Sequence, residues 1–420
     1  MSMFRNLLIK AATAVKGPDT FICKIKNTNS SAVTPYIAFP VRSAYSGIPS
    51  ITVTIETSTG QSQTLTITGT NLTTKNDTST FALGRIDYFS AVSMAQNETA
   101  TVTIYSKTCK FPSFSFFSTT EGRDWGKKNA LIYEVNTPLP VFIDGYCGSI
   151  FYNSLLTSLS EDLFQYGGSI KELRHTFACS SLTTVPENLF SGMTKVTSLE
   201  SVFVSCRSLT TVPENLFSGL TNVTSLESVF DYTGLTSIPE NLFSGLTNVT
   251  NLRQAFCGCR GLTSIPAGLF DGMTNVTNVS YLFQDCTSLT TVPSGLFDGM
   301  TKVTNVSYLF AGCTGLTSLP ANLFRNQTKA TNFSYCFYKV LASVIHANIF
   351  CNESTEKTTR FADVTPNFSN CFASLTGTEA GTAPALWNYT YKSTPTSTKC
   401  FNGSSATTLT NYSSIPSGWL

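Results

Sequence analysis

The sequence predicts an α/β solenoid of repeats about 26–27 residues long, preceded by an all-β sandwich-like domain. Three observations lead there. The phrase Leu182-Thr-Thr-Val-Pro-Glu-Asn-Leu-Phe190 returns, lightly edited, at Leu209, Leu235, Leu262, Leu289 and Leu316, with starts 27, 26, 27, 27 and 27 residues apart. A regular period of that size means stacked similar units that bury their apolar positions against one another, each stable only beside its neighbours. Each unit also carries a second phrase, Val196-Thr-Ser-Leu-Glu-Ser-Val-Phe203 in the first copy and Val303-Thr-Asn-Val-Ser-Tyr-Leu-Phe310 in the fifth. Finally, residues 20 to about 108 lack this period and alternate with period two instead.

In chain order, residues 1–19 form an amphipathic segment, because Phe4, Leu7, Leu8, Ala11 and Val15 share one helical face and Gly17-Pro18 stops it. Residues 20–110 are expected to be a β-sandwich-like attachment domain. Its strands are read at Phe21–Lys26, Ile51–Ile55, Thr64–Thr68 and Ala100–Tyr105, with a hairpin turn at Ser58–Gln61. Residues 111–150 are an aromatic junction and cap, with Phe111, Phe114, Phe116, Phe117 and Trp125. Residues 151–350 are the solenoid, and residues 351–420 hold degenerate repeats and a C-terminal cap. Within a repeat, Leu-Thr-Ser-Ile before proline suits a short strand, and Asn-Leu-Phe-x-Gly-Met suits one helical turn closed by glycine. The second phrase fits a helical face through Val196, Leu199, Val202 and Phe203, although a strand is the other reading; helix is favoured.

The template at residues 262–286, Leu-Thr-Ser-Ile-Pro-x-x-Leu-Phe-Asp-Gly-Met-Thr-Asn-Val-Thr-Asn-Val-Ser-Tyr-Leu-Phe-x-x-Cys, resembles the BspA-like leucine-rich repeats, and within them the 26-residue surface-repeat branch. This chain departs by placing Leu or Val where that branch often has Met, and by inserting Pro186, Pro213, Pro239, Pro266, Pro293 and Pro320. The resemblance covers residues 156 to 350 in good register, with weaker echoes at Asn367–Phe372 and Lys399–Phe401. It implies a leucine-rich-type solenoid of the kind found in cell-surface proteins and adhesins, and in gut bacteria and their phages. It implies no enzymatic activity and no catalytic residues.

Composition narrows the function classes. Only 12% of residues are charged and the net charge is +2, so no basic stripe announces nucleic acid. No apolar stretch reaches the length of a membrane span, and the run at the N-terminus is interrupted by Lys10 before it reaches signal-peptide length. Of the thirteen cysteines, Cys206, Cys259, Cys286 and Cys313 each follow the closing Phe of the second phrase by three residues, and Thr233 replaces Cys in the intervening copy. That substitution favours a ladder of buried, small, apolar thiols over a disulfide framework. Zinc is disfavoured by the one-residue gap between Cys257 and Cys259 and by the presence of only two histidines.

The recurring threonines Thr183, Thr210, Thr236, Thr263, Thr290 and Thr317 are expected to form a row. The row is either a solvated surface kept soluble without charge or a weakly polar platform for a glycan or protein. Glu187-Asn188, Glu214-Asn215 and Glu240-Asn241 are duplicates of one surface dipeptide, not carboxylates paired for catalysis, and the Asn-x-Thr triplets are likewise by-products of the repeat. No cofactor or metal is implied. The expectation is a non-enzymatic virion component of a bacteriophage, a head or tail decoration or fibre assembled in the host cytoplasm. It would be anchored to other virion proteins by its N-terminal domain and would offer its solenoid to a host-surface glycan or protein, with self-association into a homo-oligomer left open. A bacterial surface adhesin and an intracellular interaction scaffold are the alternatives.

Overall fold

The computed structural model describes residues 19–28, 32, 36–41, 51–67, 84–89, 94–106, 110–111, 115–117, 130–142, 145–351, 359–403 and 408–420. The expected amphipathic helix, Phe114 and Trp125 lie outside these residues, and so does the middle of the aromatic junction, residues 118–129. The chain divides into two compact units, residues 1–172 with 189–195, and residues 173–188 with 196–420.

Among its described residues the first unit has ten strands: β1 (Thr20–Asn27), β2 (Tyr36–Val41), β3 (Ile51–Thr57), β4 (Ser62–Ile67), β5 (Gly84–Phe89), β6 (Thr99–Ser106), β7 (Lys110–Phe111), β8 (Ser115–Phe117), β9 (Ala130–Val135) and β10 (Val141–Phe142). A five-stranded antiparallel sheet runs in the order β4-β3-β6-β1-β9, and a three-stranded one in the order β5-β2-β8. In the larger sheet, alternation fixes the register. Phe21 pairs with Ile104, Cys23 with Val102, Val53 with Ile104 and Ile55 with Val102, and all of these side chains are buried. A one-residue slip would turn the whole apolar set to the other face. The β3–β4 hairpin closes with Thr57 N–H donating to the Gln61 carbonyl at 2.8 Å and Gly60 at φ +88°. Strand β9 comes from the segment expected to be junction and joins the sheet beside β1, so the sheet extends beyond residue 110.

The second unit is a stack of coils. Isolated parallel bridges link Ser198 to Ser225, then Asn251, Asn278, Asn305, Asn332, Asn367 and Thr396. Each coil thus lies beside the next at equivalent positions, and the degenerate C-terminal copies occupy the same ladder. Inside, Phe203, Phe230, Phe256, Phe283, Phe310 and Phe337 form a fully buried column whose neighbouring ring centroids are 5.6 to 6.1 Å apart. A second column runs through Phe217, Phe243, Phe270, Phe297 and Phe324 at 6.1 to 6.3 Å. Beyond the area buried, each such aromatic pair contributes about 0.5–1.5 kcal/mol.

No α-helix occurs among the described residues; the helical pieces are five 3-10 turns of three residues each. The helix expected over the second phrase is replaced by a chain of turns. In one coil, Val229, Asp231 and Thr233 donate their N–H groups three residues back, to Leu226, Ser228 and Phe230. The N–H groups between them, of Leu226, Ser228, Phe230 and Tyr232, donate to Asn251, Arg253, Ala255 and Cys257 of the next coil. Consecutive turns of this kind bury residues i, i+3, i+4 and i+7, as Leu199, Val202, Phe203 and Cys206 show. That is the spacing of an amphipathic helix, which is why the sequence points to one.

Two positions in each such phrase, Ser228 (φ 53°) and Tyr232 (φ 54°) for example, take positive φ. That costs a non-glycine residue about 1–2 kcal/mol, and bonds to both neighbouring coils hold it in place. The strand expected before each proline is likewise short. Its ladder is one backbone bond per coil, such as Thr290 N–H to the Thr263 carbonyl at 3.1 Å, and proline then ends it. Among the described residues no helix is long and apolar enough to cross a membrane.

Candidate functional site

All six expected threonines are exposed. Five stand in a bonded column: the hydroxyls of Thr236, Thr263, Thr290 and Thr317 donate to the carbonyls of Thr210, Thr236, Thr263 and Thr290 at 3.4, 3.4, 3.1 and 3.2 Å. Each hydroxyl therefore shares a carbonyl with its own backbone N–H. This fixes its rotamer and leaves its lone pairs and methyl group facing solvent, an uncharged surface of repeating geometry.

A second threonine column went unread in the sequence. The hydroxyls of Thr224, Thr250, Thr277 and Thr304 each donate 3.2 Å to the threonine of the preceding coil, starting at Thr197. Backbone N–H groups follow the same path at 2.9 Å and carry it on to Thr331. Its signal was present in the recurring Val-Thr of the second phrase. Beside it, Asn251, Asn278, Asn305, Asn332 and Asn367 each accept the N–H two residues on, at 2.9 to 3.2 Å. These side chains turn the backbone into the bridge and are occupied in doing so.

The cysteine column lies inside. Sγ of Cys206, Cys259, Cys286 and Cys313 donates to the carbonyls of Phe177, Phe230, Phe256 and Phe283 at 3.1, 3.2, 3.2 and 2.9 Å. Thr233 takes the same place, its hydroxyl donating 2.8 Å to Phe230 and lying 3.2 Å from Cys259 Sγ. None of the twelve described cysteines is in a disulfide, and only Cys179 among them is not buried. Burial pushes the Cys206 thiol up to about 11 and Cys259 up to about 12, and raises Cys286 and Cys313 as well. Such thiols are poor nucleophiles at neutral pH. Cys336, Cys371 and Cys400 sit instead one residue before the Phe column, also buried, in the niche filled by Leu309 in the coil before Cys336.

Other polar groups are consumed between coils. Asn215 Nδ2 donates to Glu187 at 3.2 Å and Asn241 Nδ2 to Glu214, so the repeated Glu-Asn dipeptide is an inter-coil tie. Asn248 and Asn275, of the Asn-x-Thr triplets, donate to the carbonyls of Thr221 and Thr247. Glu200 pairs with Arg174 at 2.5 Å and Glu227 with Arg253 at 2.7 Å. The Arg253 guanidinium then lies 5.3 Å from the Tyr281 ring centroid. From there Tyr281, Tyr308 and Tyr335 stack face to face, with centroids 4.5 Å apart and planes within 9°. Both faces of Tyr308 are thereby covered, so the column presents ring edges and cannot stack a sugar on that ring.

One residue breaks the pattern. Asp231 is 8% exposed, its Oδ1 is buried without a hydrogen-bond partner, and desolvation pushes its carboxyl up to about 6 despite Arg253 and the Cys257 thiol. Among the described residues no cluster of three or more His, Cys, Asp or Glu is placed to hold a metal ion. Compared with known proteins, the chain matches no protein-family model and no curated protein.

Proposed function

We propose that this chain is a non-enzymatic structural and binding protein: a leucine-rich-type solenoid displaying rows of threonine, carried by an all-β attachment domain as a bacteriophage virion component, a head or tail decoration or fibre. The observation that carries the binding reading is the pair of bonded threonine columns, which repeat one uncharged, rotamer-fixed surface through successive coils. Such a face suits a host-surface glycan or protein, since solenoids offer extended surfaces to their partners. The buried thiols support assembly in a reducing host cytoplasm, where disulfides are rare. Other virion proteins would be met by the unrepeated β unit.

A bacterial cell-surface adhesin is the second reading, favoured by the resemblance of the repeated phrase to surface repeats. Mass spectrometry of density-banded particles from the producing culture separates the two. The virion reading expects the chain in the particle band; finding it in the cell envelope and not in particles would replace that reading with the adhesin. Thiol titration of the unfolded protein without reductant is expected to count most of the thirteen cysteines as free, and recovery of one or two would return a secreted disulfide framework.

A further inference from the structure

The first unit holds a groove of about 420 Å³, walled by residues 133–138 on one side and 156–160 with 162–163 on the other. That size lies within the range of about 300–1,000 Å³ for small-molecule sites. Both walls are fixed to each other, because Leu155 N–H donates 2.7 Å to the Ile132 carbonyl and Leu139 N–H donates 2.8 Å to the Leu163 carbonyl. Among the described residues, no lysine, arginine or histidine lines the groove. Its polar groups are carboxylates, hydroxyls and the Asn136 amide, set among the apolar Pro138, Leu156 and Leu159.

The carboxylates are held in place by their neighbours. Lys24 Nζ donates to both oxygens of Glu134 at 2.9 Å, Asn136 Nδ2 donates to Oε1 at 2.5 Å, and the Ser160 hydroxyl donates to Asp162. Thr137 Oγ1 accepts the Ile22 N–H at 2.9 Å, so its own O–H remains a donor. Fixed carboxylates and hydroxyls interspersed with apolar side chains match the vicinal hydroxyls and C–H faces of a sugar ring, and hydrogen bonds to ionised acceptors are the strong ones.

We infer that this groove binds a neutral saccharide unit, with Glu134 and Asp162 accepting sugar hydroxyls and Pro138 and Leu159 covering a C–H face. The inference goes beyond the reading above, since it uses none of the threonine columns. The Lys24 ammonium and Asn136 amide hold Glu134 below the usual carboxylate range, so it stands in the groove as an ionised acceptor.

Saturation-transfer NMR on the full chain tests this with glucose, galactose, mannose and N-acetylglucosamine at millimolar concentration. At least one sugar is expected to receive transfer. Asp162→Ala and the groove-filling Ser158→Trp should each weaken that binding at least tenfold with an unchanged melting temperature, while Lys302→Ala, an exposed change on the coil stack, leaves it intact. The inference is overturned if no sugar receives transfer, if transfer survives both groove variants undiminished, or if calorimetry finds that the groove takes calcium and no sugar.

Discussion

The sheet of the first unit and the coil stack of the second satisfy their backbones in opposite ways. In the sheet, Phe21 meets Ile104 and Ile25 meets Ile132, partners roughly eighty to a hundred residues away, and antiparallel bonds run in both directions between strands. In the stack, each bridge from Ser198 to Asn332 joins positions one period apart, and the bonds between them are local turns. Along the turn chain all four inter-coil N–H groups point towards the following coil, as from Leu226, Ser228, Phe230 and Tyr232, because the opposing peptides are turned inward into local bonds. The sheet is therefore complete only when distant strands have met. The stack can be assembled coil by coil, its stability approximating a sum of repeat and neighbour terms.

The comparison can be broken first in the phenylalanine column. Phe230→Ala, Phe256→Ala and Phe283→Ala should each cost about 3–5 kcal/mol and cost alike, since each ring sits between two equivalent neighbours. Denaturant unfolding that ranked them far apart would contradict the equivalence of coils.

Asp231 gives the next largest effect. Its folded-state carboxyl stands at about 6, above an unfolded value near 3.9, so its penalty is absent below about pH 4 and fully present once the pH has risen through 6. Two pH units correspond to about 2–3 kcal/mol. Asp231→Asn should accordingly raise the melting temperature at pH 7.5 and leave it unchanged at pH 4. A gain of equal size at both pH values would show that packing, not ionisation, is responsible.

Glycine sharpens the contrast between the regions. Gln254 holds φ at 57°, so Gln254→Gly should be more stable than Gln254→Ala by about 1 kcal/mol. In the sheet the ranking should reverse, with Thr103→Gly less stable than Thr103→Ala by roughly 0.5–1 kcal/mol. Thermal melts of the four variants check both signs. Smallest of all, Thr263→Val on the exposed column should change stability by no more than about 0.5 kcal/mol; a larger loss would make the column a structural element instead of a presented surface.

What the sequence disclosed follows from how each region repeats its pattern. Strands β1, β3, β4 and β6 were legible because Ile, Val and Thr alternate along them. Strands β2 and β5 were not: Pro40 interrupts one, and Gly84, Arg85 and Asp87 disguise the other. The coil period was legible from spaced Leu, Phe and Cys, yet its backbone was not. A chain of turns and a helix bury the same spacing, and only the positive φ at Ser201, Ser228, Gln254, Tyr281 and Tyr308 separates them. Three residue types at those positions, none of them glycine, left no local signal. The first threonine row could be read from the sequence, but its bonded twin at Thr197 to Thr331 was hidden inside a phrase assigned to helix.

Each period of the stack is an interchangeable unit, stable beside its neighbours, and deletion tests this most directly. Removing residues 262–288, one whole period, brings Leu289 to the place of Leu262. The shortened chain should then remain folded, with a single cooperative melt and every remaining column in register. Removing residues 262–275, about half a period, should abolish that melt. If both deletions unfold the chain, or both leave it equally stable, the coils are not repeating units and the account fails.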